Sequence, residues 1–222
     1  MPRISEKRPT KERIIEVAQR LFASKGLDGT SMRDITDAAG VNLSSVNYHF
    51  GSKDGLISAV FDRHLTPVNE ARLAMLDDVE KAAGNRLPDL GAVLEAFIRP
   101  AVVRALDPNR SDDSFLSLMG RCLNEPPAYA EKHIYPRFEK LAERFEAAVA
   151  RAVPELAGEE VFWRVIFVAG ALHYALHIWN TDNLPLKPDK PIDAEELIRQ
   201  LIAFAAAGLQ AKVAYQSVKL GH

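Results

Sequence analysis

Residues 42–50 carry a run of short polar side chains that suits hydrogen bonding to a nucleic acid. Wound as a helix, this stretch turns one set of side chains outward: Ser44, Ser45, Asn47, Tyr48 and His49. Side chains of this kind donate to and accept from base edges and phosphates, which is how proteins read a groove of DNA. A helix of about two turns is not stable alone. The rest of the chain must therefore hold it in place and leave its outer face open.

A first short helix and a tight turn are predicted just ahead of this stretch. Ser31 and Asp34, three residues apart, have the spacing of a capping box, in which the hydroxyl and the carboxylate each accept a hydrogen bond from a free backbone N–H. Gly40 ends the helix, because glycine adopts the positive φ that such a turn often needs. Residues 31–40 thus support the segment that follows.

Asn42 is the predicted N-cap of the second helix, residues 43–49. Val46 and Phe50, four residues apart, would anchor the inner side of that helix. Two short helices joined by a glycine turn form a helix-turn-helix, and the second helix of this motif enters the major groove of DNA. DNA reading is the first hypothesis that the sequence supports.

A further set of residues recurs at fixed spacing between positions 30 and 56: Thr30, Ile35, Ala38, Ala39, Gly40, Val41, Tyr48, His49, Phe50, Lys53 and Leu56. With them the chain resembles the tetracycline-repressor (TetR) family of bacterial transcriptional regulators, and residues 14–26 are similar to the family's first helix. The resemblance implies an all-α fold. Its N-terminal three-helix helix-turn-helix DNA-binding domain would span residues 1–55, and a larger helical ligand-binding and dimerisation domain residues 56–222. Thr36, Asn42 and Asn47 depart from the usual residues, and Asn47 indicates a particular operator sequence.

The matched positions imply nine DNA-binding residues. Leu43, Ser44 and Asn47 are expected at base edges, since asparagine pairs with adenine and leucine packs on a thymine methyl group. Phosphate contacts are expected from Thr30, Arg33, Ser45, Tyr48, His49 and Lys53. Competing interpretations place Leu43 in the core and Tyr48 and His49 beneath the motif.

Composition and charge are those of a soluble cytoplasmic protein of 222 residues, 47% of them hydrophobic. Residues 1–65 hold ten Lys or Arg and eight Asp or Glu, a net charge of +2, whereas the whole chain carries −2. The chain is therefore not a polybasic binder, and two copies would be needed to add up the positive charge facing DNA. A single cysteine, Cys122, and a polar N-terminus without an apolar signal-peptide region favour the cytoplasm.

Helical periodicity continues through the chain without strand-like alternation. Thr10 is expected to cap the first helix. Pro67 is expected to kink or interrupt the helix that follows the motif, so that one long or broken helix joins the two halves of the protein. The predicted helices are residues 11–25, 53–65, 68–81, 90–106, 114–123, 128–153, 160–180 and 194–218, with bends at Pro100 and Pro136.

The last two helices carry patches of small residues that let helix backbones approach closely. These patches are Ala169, Gly170 and Ala171 in one helix, and Ala203, Ala205, Ala206, Ala207 and Gly208 in the other. Residues 160–180 are long and apolar enough to suggest a membrane span, but Arg164, His173 and His177 favour a buried helix and no membrane contact. Together the two helices predict a four-helix homodimer interface, as the resemblance also implies, with an ordinary intrachain core as the alternative.

Aromatic and apolar residues of the larger domain predict a cavity for a small hydrophobic effector. The expected ligand-binding residues are Phe97, Phe115, Met119, Arg121, Trp163, Phe167, His173 and His177. Residues 123–127, 144–145 and 162–164 are similar to the branch of the family that responds to fatty acids or their thioesters. Solid packing is the alternative for all these side chains.

The leading hypothesis is a ligand-responsive repressor that binds a palindromic double-stranded operator as a homodimer, with activation as a variant. An effector would tilt the helix that starts at Lys53 and separate the two recognition helices. The rival is a helical metal-binding protein or enzyme, because His173 and His177, four residues apart, share a helix face. The sequence shows no Ser-His-Asp arrangement, phosphate loop or paired carboxylates, so we expect neither catalysis nor a cofactor.

Overall fold

A computed structural model describes residues 9–107, 114–124, 127–156, 158–179 and 193–212. Every regular element in these ranges is a helix, which confirms the all-α prediction. The predicted helix ends at residues 180 and 218 lie outside the described residues. The elements are α1 (Thr10–Lys25), α2 (Met32–Ala39), α3 (Leu43–Phe50), α4 (Lys53–Ala83), α5 (Leu90–Ala105), α6 (Ser114–Asn124), α7 (Pro127–His133), a 3-10 helix (Tyr135–Arg137), α8 (Glu139–Ala152), α9 (Gly158–Trp179) and α10 (Ala194–Gln210).

Helix α1 starts one residue earlier than predicted. Thr10 is its first helical residue, and Pro9 occupies the N-cap position without a side-chain cap. Proline is tolerated at the start of a helix, because backbone N–H groups there have no intrahelical acceptor and a proline loses no hydrogen bond. The predicted cap by Thr10 is therefore wrong.

Helix α4 runs unbroken through Pro67, so the structure has the single long helix and not the broken one. Proline has no N–H and leaves the carbonyl four residues earlier, that of Arg63, without its helical partner. Arg104 of α5 donates from Nη2 to this oxygen at 3.4 Å. The neighbouring helix thus satisfies the carbonyl that the proline leaves open.

A reciprocal contact joins the same two helices next to Pro100 of α5. Arg72 of α4 donates from Nε to the Phe97 carbonyl of α5 at 2.7 Å. Arg72 also donates from Nη1 to Asn69 Oδ1 at 3.2 Å, and Asn69 in turn donates to the Arg137 carbonyl at 2.8 Å. Helices α4 and α5 are therefore joined by guanidinium groups near both prolines.

The predicted long helix of residues 128–153 is divided into α7, the 3-10 helix and α8. Pro136 explains the break, because it cannot donate a helical hydrogen bond and disfavours helical φ/ψ at the residue before it. Arg137 holds the break against α4, with Nε 2.7 Å from Asp62 Oδ1 and Nη2 3.0 Å from the Ser58 carbonyl.

Two hydrophobic cores lie at opposite ends of α4. The first is formed by α1, α2, α3 and the start of α4, together with side chains of α6 and α7 such as Phe115, Leu118 and Ala130. The second is formed by the later part of α4 with α5, α8, α9 and α10. The predicted boundary between residues 55 and 56 stays a prediction, and the packing adds α6 and α7 to the N-terminal core.

Candidate nucleic-acid interface

Helix α2 begins with the predicted capping box. The Ser31 hydroxyl accepts from the Asp34 N–H at 3.1 Å, and the Asp34 carboxylate accepts from the Ser31 N–H at 2.9 Å. Hydrogen bonds from the Ser31 hydroxyl and from Lys25, whose Nζ lies 2.9 Å away, hold the pKa of the Asp34 carboxyl well below its usual range. The first helix of the motif is thus fixed at its start.

The turn between α2 and α3 depends on Gly40, whose φ of 63° lies in the left-handed region. Residues with a Cβ rarely adopt this conformation, so the position requires glycine or a close substitute. The Asn42 side chain then accepts from the Ser45 N–H at 2.8 Å and caps α3. Both predictions for the turn are confirmed.

The outer face of α3 is open to solvent, while Val46 is completely buried on its inner face. Tyr48 is 86% exposed and Leu43 is 51% exposed, so neither packs into the core as the competing interpretations proposed. Ser44 and Asn47 are also exposed. The side chains expected to reach base edges therefore share one accessible face.

Two predicted phosphate contacts have part of their side chain engaged within the motif. Ser45 is half-buried, and its hydroxyl donates to Asn42 Oδ1 at 2.9 Å. His49 is half-buried, with its ring centroid 5.2 Å from that of Tyr48 and 5.9 Å from that of Phe50. Both side chains still border the exposed face of α3.

Two cations flank the recognition helix. Arg33 on α2 is almost fully exposed, and its Nε lies 3.9 Å from Asp37 Oδ2. Lys53 is the first residue of α4, directly after the turn that follows α3. Both can donate to phosphates beside the groove that α3 would enter.

Thr30 is completely buried, which corrects its predicted phosphate contact. Its hydroxyl donates to the Gly26 carbonyl at 2.8 Å and lies 3.2 Å from the Leu21 carbonyl. The side chain therefore joins the end of α1 to the start of α2. Its matched position in the motif reflects this structural role.

Gly55 is a positioning residue that the sequence reasoning missed. A Cβ at this position would lie 2.0 Å from the Phe50 carbonyl oxygen, so the end of α3 and the start of α4 approach too closely for any side chain. The sequence signal was available, because glycine in the first turn of a long helix is unfavourable without a packing reason.

Helices α6 and α7 support the motif from behind. Lys132 Nζ lies 2.7 Å from Asp54 Oδ2 at the start of α4, and Tyr129 hydrogen-bonds to Asp28. Arg121 donates to the Ala23 carbonyl at 3.1 Å and the Ser24 carbonyl at 3.3 Å, near the end of α1. The predicted ligand contact of Arg121 is therefore corrected to a contact between α6 and α1.

A cavity of about 470 Å³ lies between α4, α5, α6, α8 and α9. Four of the eight predicted ligand-binding residues line it: Phe97, Phe115, Met119 and His173. Most of the remaining wall is aliphatic or aromatic, and its other polar side chains are His64, Arg72, Arg104 and Tyr135. The cavity excludes the alternative of solid packing in this part of the protein.

Trp163, Phe167 and His177 do not line the cavity. Trp163 is 57% exposed and Phe167 is 64% exposed, both on the outer side of α9, and His177 is exposed as well. The sequence could not separate these faces, because α9 is apolar on nearly its whole circumference.

His64 connects the cavity wall to the helix-turn-helix domain. Its Nε2 donates to Gln19 Oε1 of α1 at 2.5 Å, and its ring stacks on Phe115 of α6 with centroids 4.0 Å apart. Gln19 also donates to Ser114 Oγ at 2.9 Å. Across the cavity, burial first and the nearby His177 second lower the pKa of His173.

Comparison with known protein families follows the same division of the chain. Residues 14–60 match the family model of bacterial regulatory proteins of the tetR family. Residues 95–208, more than half of the chain, match the model of the tetracyclin repressor-like C-terminal domain. The chain belongs to the TetR family.

The curated relatives of this TetR-family protein are named as transcriptional regulators, and each matches over a part of the chain. They include a probable HTH-type transcriptional regulator, YttP, of Bacillus subtilis, 48% identical over 48 residues, which are 22% of this chain and 23% of YttP. AcrR of Shigella flexneri is 34% identical over 68 residues, or 31% and 32% of the two chains. The chain thus aligns with about a quarter to a third of these relatives' length.

Solved structures show the same fold over most of this TetR-family chain. PfmR from Thermus thermophilus superposes with a TM-score of 0.56 at 23% identity, covering 89% of this chain and 97% of PfmR. Mycobacterium smegmatis AmtR gives a TM-score of 0.61 at 17% identity, covering 96% and 91%. The whole arrangement of helices is therefore that of the family.

The metal-binding alternative would require further ligands beside His173 and His177 in this TetR-family protein. Among the described residues no group of three or more His, Cys, Asp or Glu is placed to hold a metal ion. The matched relatives reported above are named as transcriptional regulators.

Helix α9 is half-buried in the single chain, so burial of its outer side stays a prediction that depends on the expected dimer. By length and composition α9 could cross a membrane, the one such helix in the part of the chain that the structure describes. Its inner residues, such as Val168 and Leu172, are buried in the second core. Arg164 of α9 donates to the Gly208 and Leu209 carbonyls of α10, each at 2.8 Å. The outer side is an apolar face without cover.

Proposed function

We propose that this protein is a DNA-binding transcriptional repressor that acts in the cytoplasm as a homodimer and is released by a small hydrophobic effector. The observation that carries the proposal is the exposed face of α3, with Leu43, Ser44, Asn47 and Tyr48 outward and Val46 buried behind them. A short helix held by caps at its start and by packing on one side is built to present its other side.

In the proposed complex, Leu43, Ser44 and Asn47 contact base edges in the major groove. The Asn47 amide can pair with adenine N6 and N7, and Leu43 can pack on a thymine methyl group. Phosphate contacts come from Arg33 of α2, from Ser45, Tyr48 and His49 of α3, and from Lys53 at the start of α4. These contacts set the position of the helix in the groove without reading sequence.

Homodimerisation is proposed through the exposed apolar faces of α9 and α10. On α9 this face comprises Phe162, Trp163, Ile166, Phe167 and Tyr174, and on α10 it comprises Ala203, Phe204, Ala207 and Gly208. Packing both faces against a two-fold related copy makes a four-helix interface and covers large side chains that are otherwise in water. A two-fold dimer reads a palindrome with half-sites roughly 34–36 Å apart or a multiple of that distance.

Release by an effector is proposed to act through the elements shared by the cavity and the DNA-binding domain. Helix α4 lines the cavity and begins at Lys53, directly after the recognition helix. His64 provides a second connection, through Gln19, to α1. The effector must bind the DNA-incompetent arrangement more tightly, since otherwise it could not shift the equilibrium.

Fluorescence anisotropy with duplexes from the DNA upstream of the coding region tests the proposal. We expect selective, salt-sensitive binding, with the affinity falling as salt is raised because phosphate contacts release counterions. Asn47→Ala should weaken binding about tenfold or more, as expected for one lost bidentate base contact. Asn85→Ala, an exposed asparagine at the far end of α4, is the matched control and should bind as the wild type does.

Binding that is independent of sequence and salt, or equal effects of the two alanine variants, would refute the proposed DNA reading. A reporter gene placed behind the selected operator then distinguishes repression from activation.

A further inference from the structure

The cavity wall has an unbalanced charge. Among its lining residues are two arginines, Arg72 and Arg104, and no aspartate or glutamate from the described part of the chain. Arg72 is only 5% exposed, although it carries a full charge. A mostly apolar cavity therefore has two guanidinium groups in its wall, and one of them is deeply buried.

The partners of Arg72 are all neutral. Its Nε donates to the Phe97 carbonyl at 2.7 Å, its Nη1 donates to Asn69 Oδ1 at 3.2 Å, and its Cζ lies 4.3 Å from the centre of the Phe97 ring. Its Nη2 makes no hydrogen bond to any residue that the structure describes. One end of the guanidinium is thus left for another molecule.

Arg99 of α5 differs from Arg72 in having carboxylate partners. It is more exposed than Arg72, yet it pairs with Glu95 at 2.7 Å and with Glu195 at 2.6 Å. A charge in a low-dielectric interior is costly unless it is paired, whereas a charge near water is not. The buried arginine lacks the carboxylate that the outer arginine has.

Arg72 remains charged at neutral pH despite its burial. Loss of hydration lowers the pKa of the Arg72 guanidinium to about 10, which is still well above 7. The carbonyl, the amide and the aromatic face around it offset part of the lost hydration. A negative charge in the cavity would offset more.

We propose that the cavity binds an amphipathic acid, a hydrophobic body that bears one carboxylate, and that the carboxylate pairs with Arg72. This inference rests on the proposed function, because it names the chemical class of the effector. The planar guanidinium suits a carboxylate, which accepts two hydrogen bonds side by side. The apolar remainder of the ligand contacts Phe97, Phe115 and Leu141.

In the alternative hypothesis Arg72 has a structural role only, because its hydrogen bond to the Phe97 carbonyl joins α4 to α5. The two accounts differ in what they predict for ligands. If Arg72 is purely structural, neutral and anionic ligands of the same shape should bind equally well. If Arg72 binds a carboxylate, the acid should bind more tightly.

Isothermal titration calorimetry of the full chain separates the two, with decanoate below its critical micelle concentration and decanol below its solubility limit. We expect decanoate to bind at least tenfold more tightly than decanol, the size of one charge-assisted hydrogen bond. Arg72→Met should remove this preference while decanol still binds. Arg72→Lys, which keeps the charge, should retain part of it, and Arg99→Met, which alters an arginine outside the cavity, should keep it in full.

Equal binding of decanoate and decanol by the wild type overturns the inference, and so does the absence of binding by either. These results need no variant, so they stand even where Arg72→Met fails to fold. Operator binding by the ligand-free protein is measured in parallel. Intact operator binding without a preference for the acid overturns this inference alone, and a preference for the acid without operator binding overturns only the proposed function.

Discussion

Thr30 illustrates at the scale of single residues how a motif position can be occupied for the sake of folding. Its buried hydroxyl satisfies the Gly26 carbonyl near the end of α1. Thr30→Val keeps the shape and removes the donor, and we expect a loss of about 1–3 kcal/mol in the free energy of unfolding. Guanidinium chloride denaturation measures this loss.

Thr66→Val is the control for this prediction, because Thr66 is exposed on α4 and should change stability by no more than about 0.5 kcal/mol. Operator affinity of folded Thr30→Val should match the wild type. A Thr30→Val variant that is as stable as the wild type but binds DNA more weakly would support a phosphate contact by Thr30.

His133 connects single-residue chemistry to stability at low pH. Burial lowers its pKa, which outweighs the opposing effect of Asp54, and Lys132 and Arg137 act in the same direction as burial. The folded protein therefore holds a neutral ring, while the unfolded chain takes up a proton as the pH falls through 6.5. Stability should be highest above 6.5 and should decrease below it until the pKa of the folded state is reached.

Melting temperatures measured by calorimetry at pH values above and below 6.5 test the prediction. His133→Gln should show a shallower decrease, and His173→Gln should report a second contribution, since the pKa of His173 is lowered as well. A melting temperature that rises on acidification through 6.5 would contradict the sign of both shifts.

At the scale of elements, the junction of α3 and α4 determines where the recognition helix points. Gly55→Ala would bring a methyl group to 2.0 Å from the Phe50 carbonyl, so one of the two helices must move. We expect a loss of about 1–3 kcal/mol in stability. We also expect weaker operator binding in the molecules that remain folded, measured by anisotropy.

Gly158→Ala is the matched control, because a Cβ there has nothing within 4 Å. It should leave stability and operator affinity close to the wild-type values. Gly55→Ala with unchanged DNA affinity would show that the α3–α4 junction does not orient the recognition helix.

Helix α4 owes its continuity to its neighbour. Arg104 supplies the hydrogen bond that Pro67 cannot, and Arg72 returns a similar contact to α5. Both arginines also line the cavity. A ligand that draws either group away would weaken the support of α4 near its proline, which is where a helix bends most readily.

At the scale of the whole molecule, the uncovered faces of α9 and α10 predict self-association. Phe204 is 67% exposed at the centre of the α10 face. Phe204→Glu would place two charges in the proposed dimer interface, and we expect dissociation to be favoured at least about 100-fold. Size-exclusion chromatography with light scattering measures the oligomeric state.

Leu87→Glu is the control for this prediction, since Leu87 is similarly exposed but lies in the loop after α4. It should leave the oligomeric state unchanged. A dimer that survives Phe204→Glu would place the interface elsewhere, and a wild-type monomer on its target duplex would refute dimerisation altogether.

The helix-turn-helix, the all-α class and the family could all be predicted from the order of residues alone. These follow from short-range signals: the capping pair Ser31 and Asp34, the glycine at position 40 and the capping amide of Asn42 all act within a few residues. Local hydrogen bonds and backbone sterics depend on residues that are close in sequence, so the spacing of residue types is enough to predict them.

The apolar residues that face the cavity could be told from those that face solvent only once the helices were packed together. Helix α9 is apolar around most of its circumference, and therefore its periodicity could not assign Trp163 and Phe167 to the outside or His173 to the cavity. The burial of Thr30, the contact of Arg121 with α1 and the continuity of α4 through Pro67 depend on partners outside their own segments. Packing between distant segments sets these roles, because the free energy of burial depends on neighbours that local sequence does not specify.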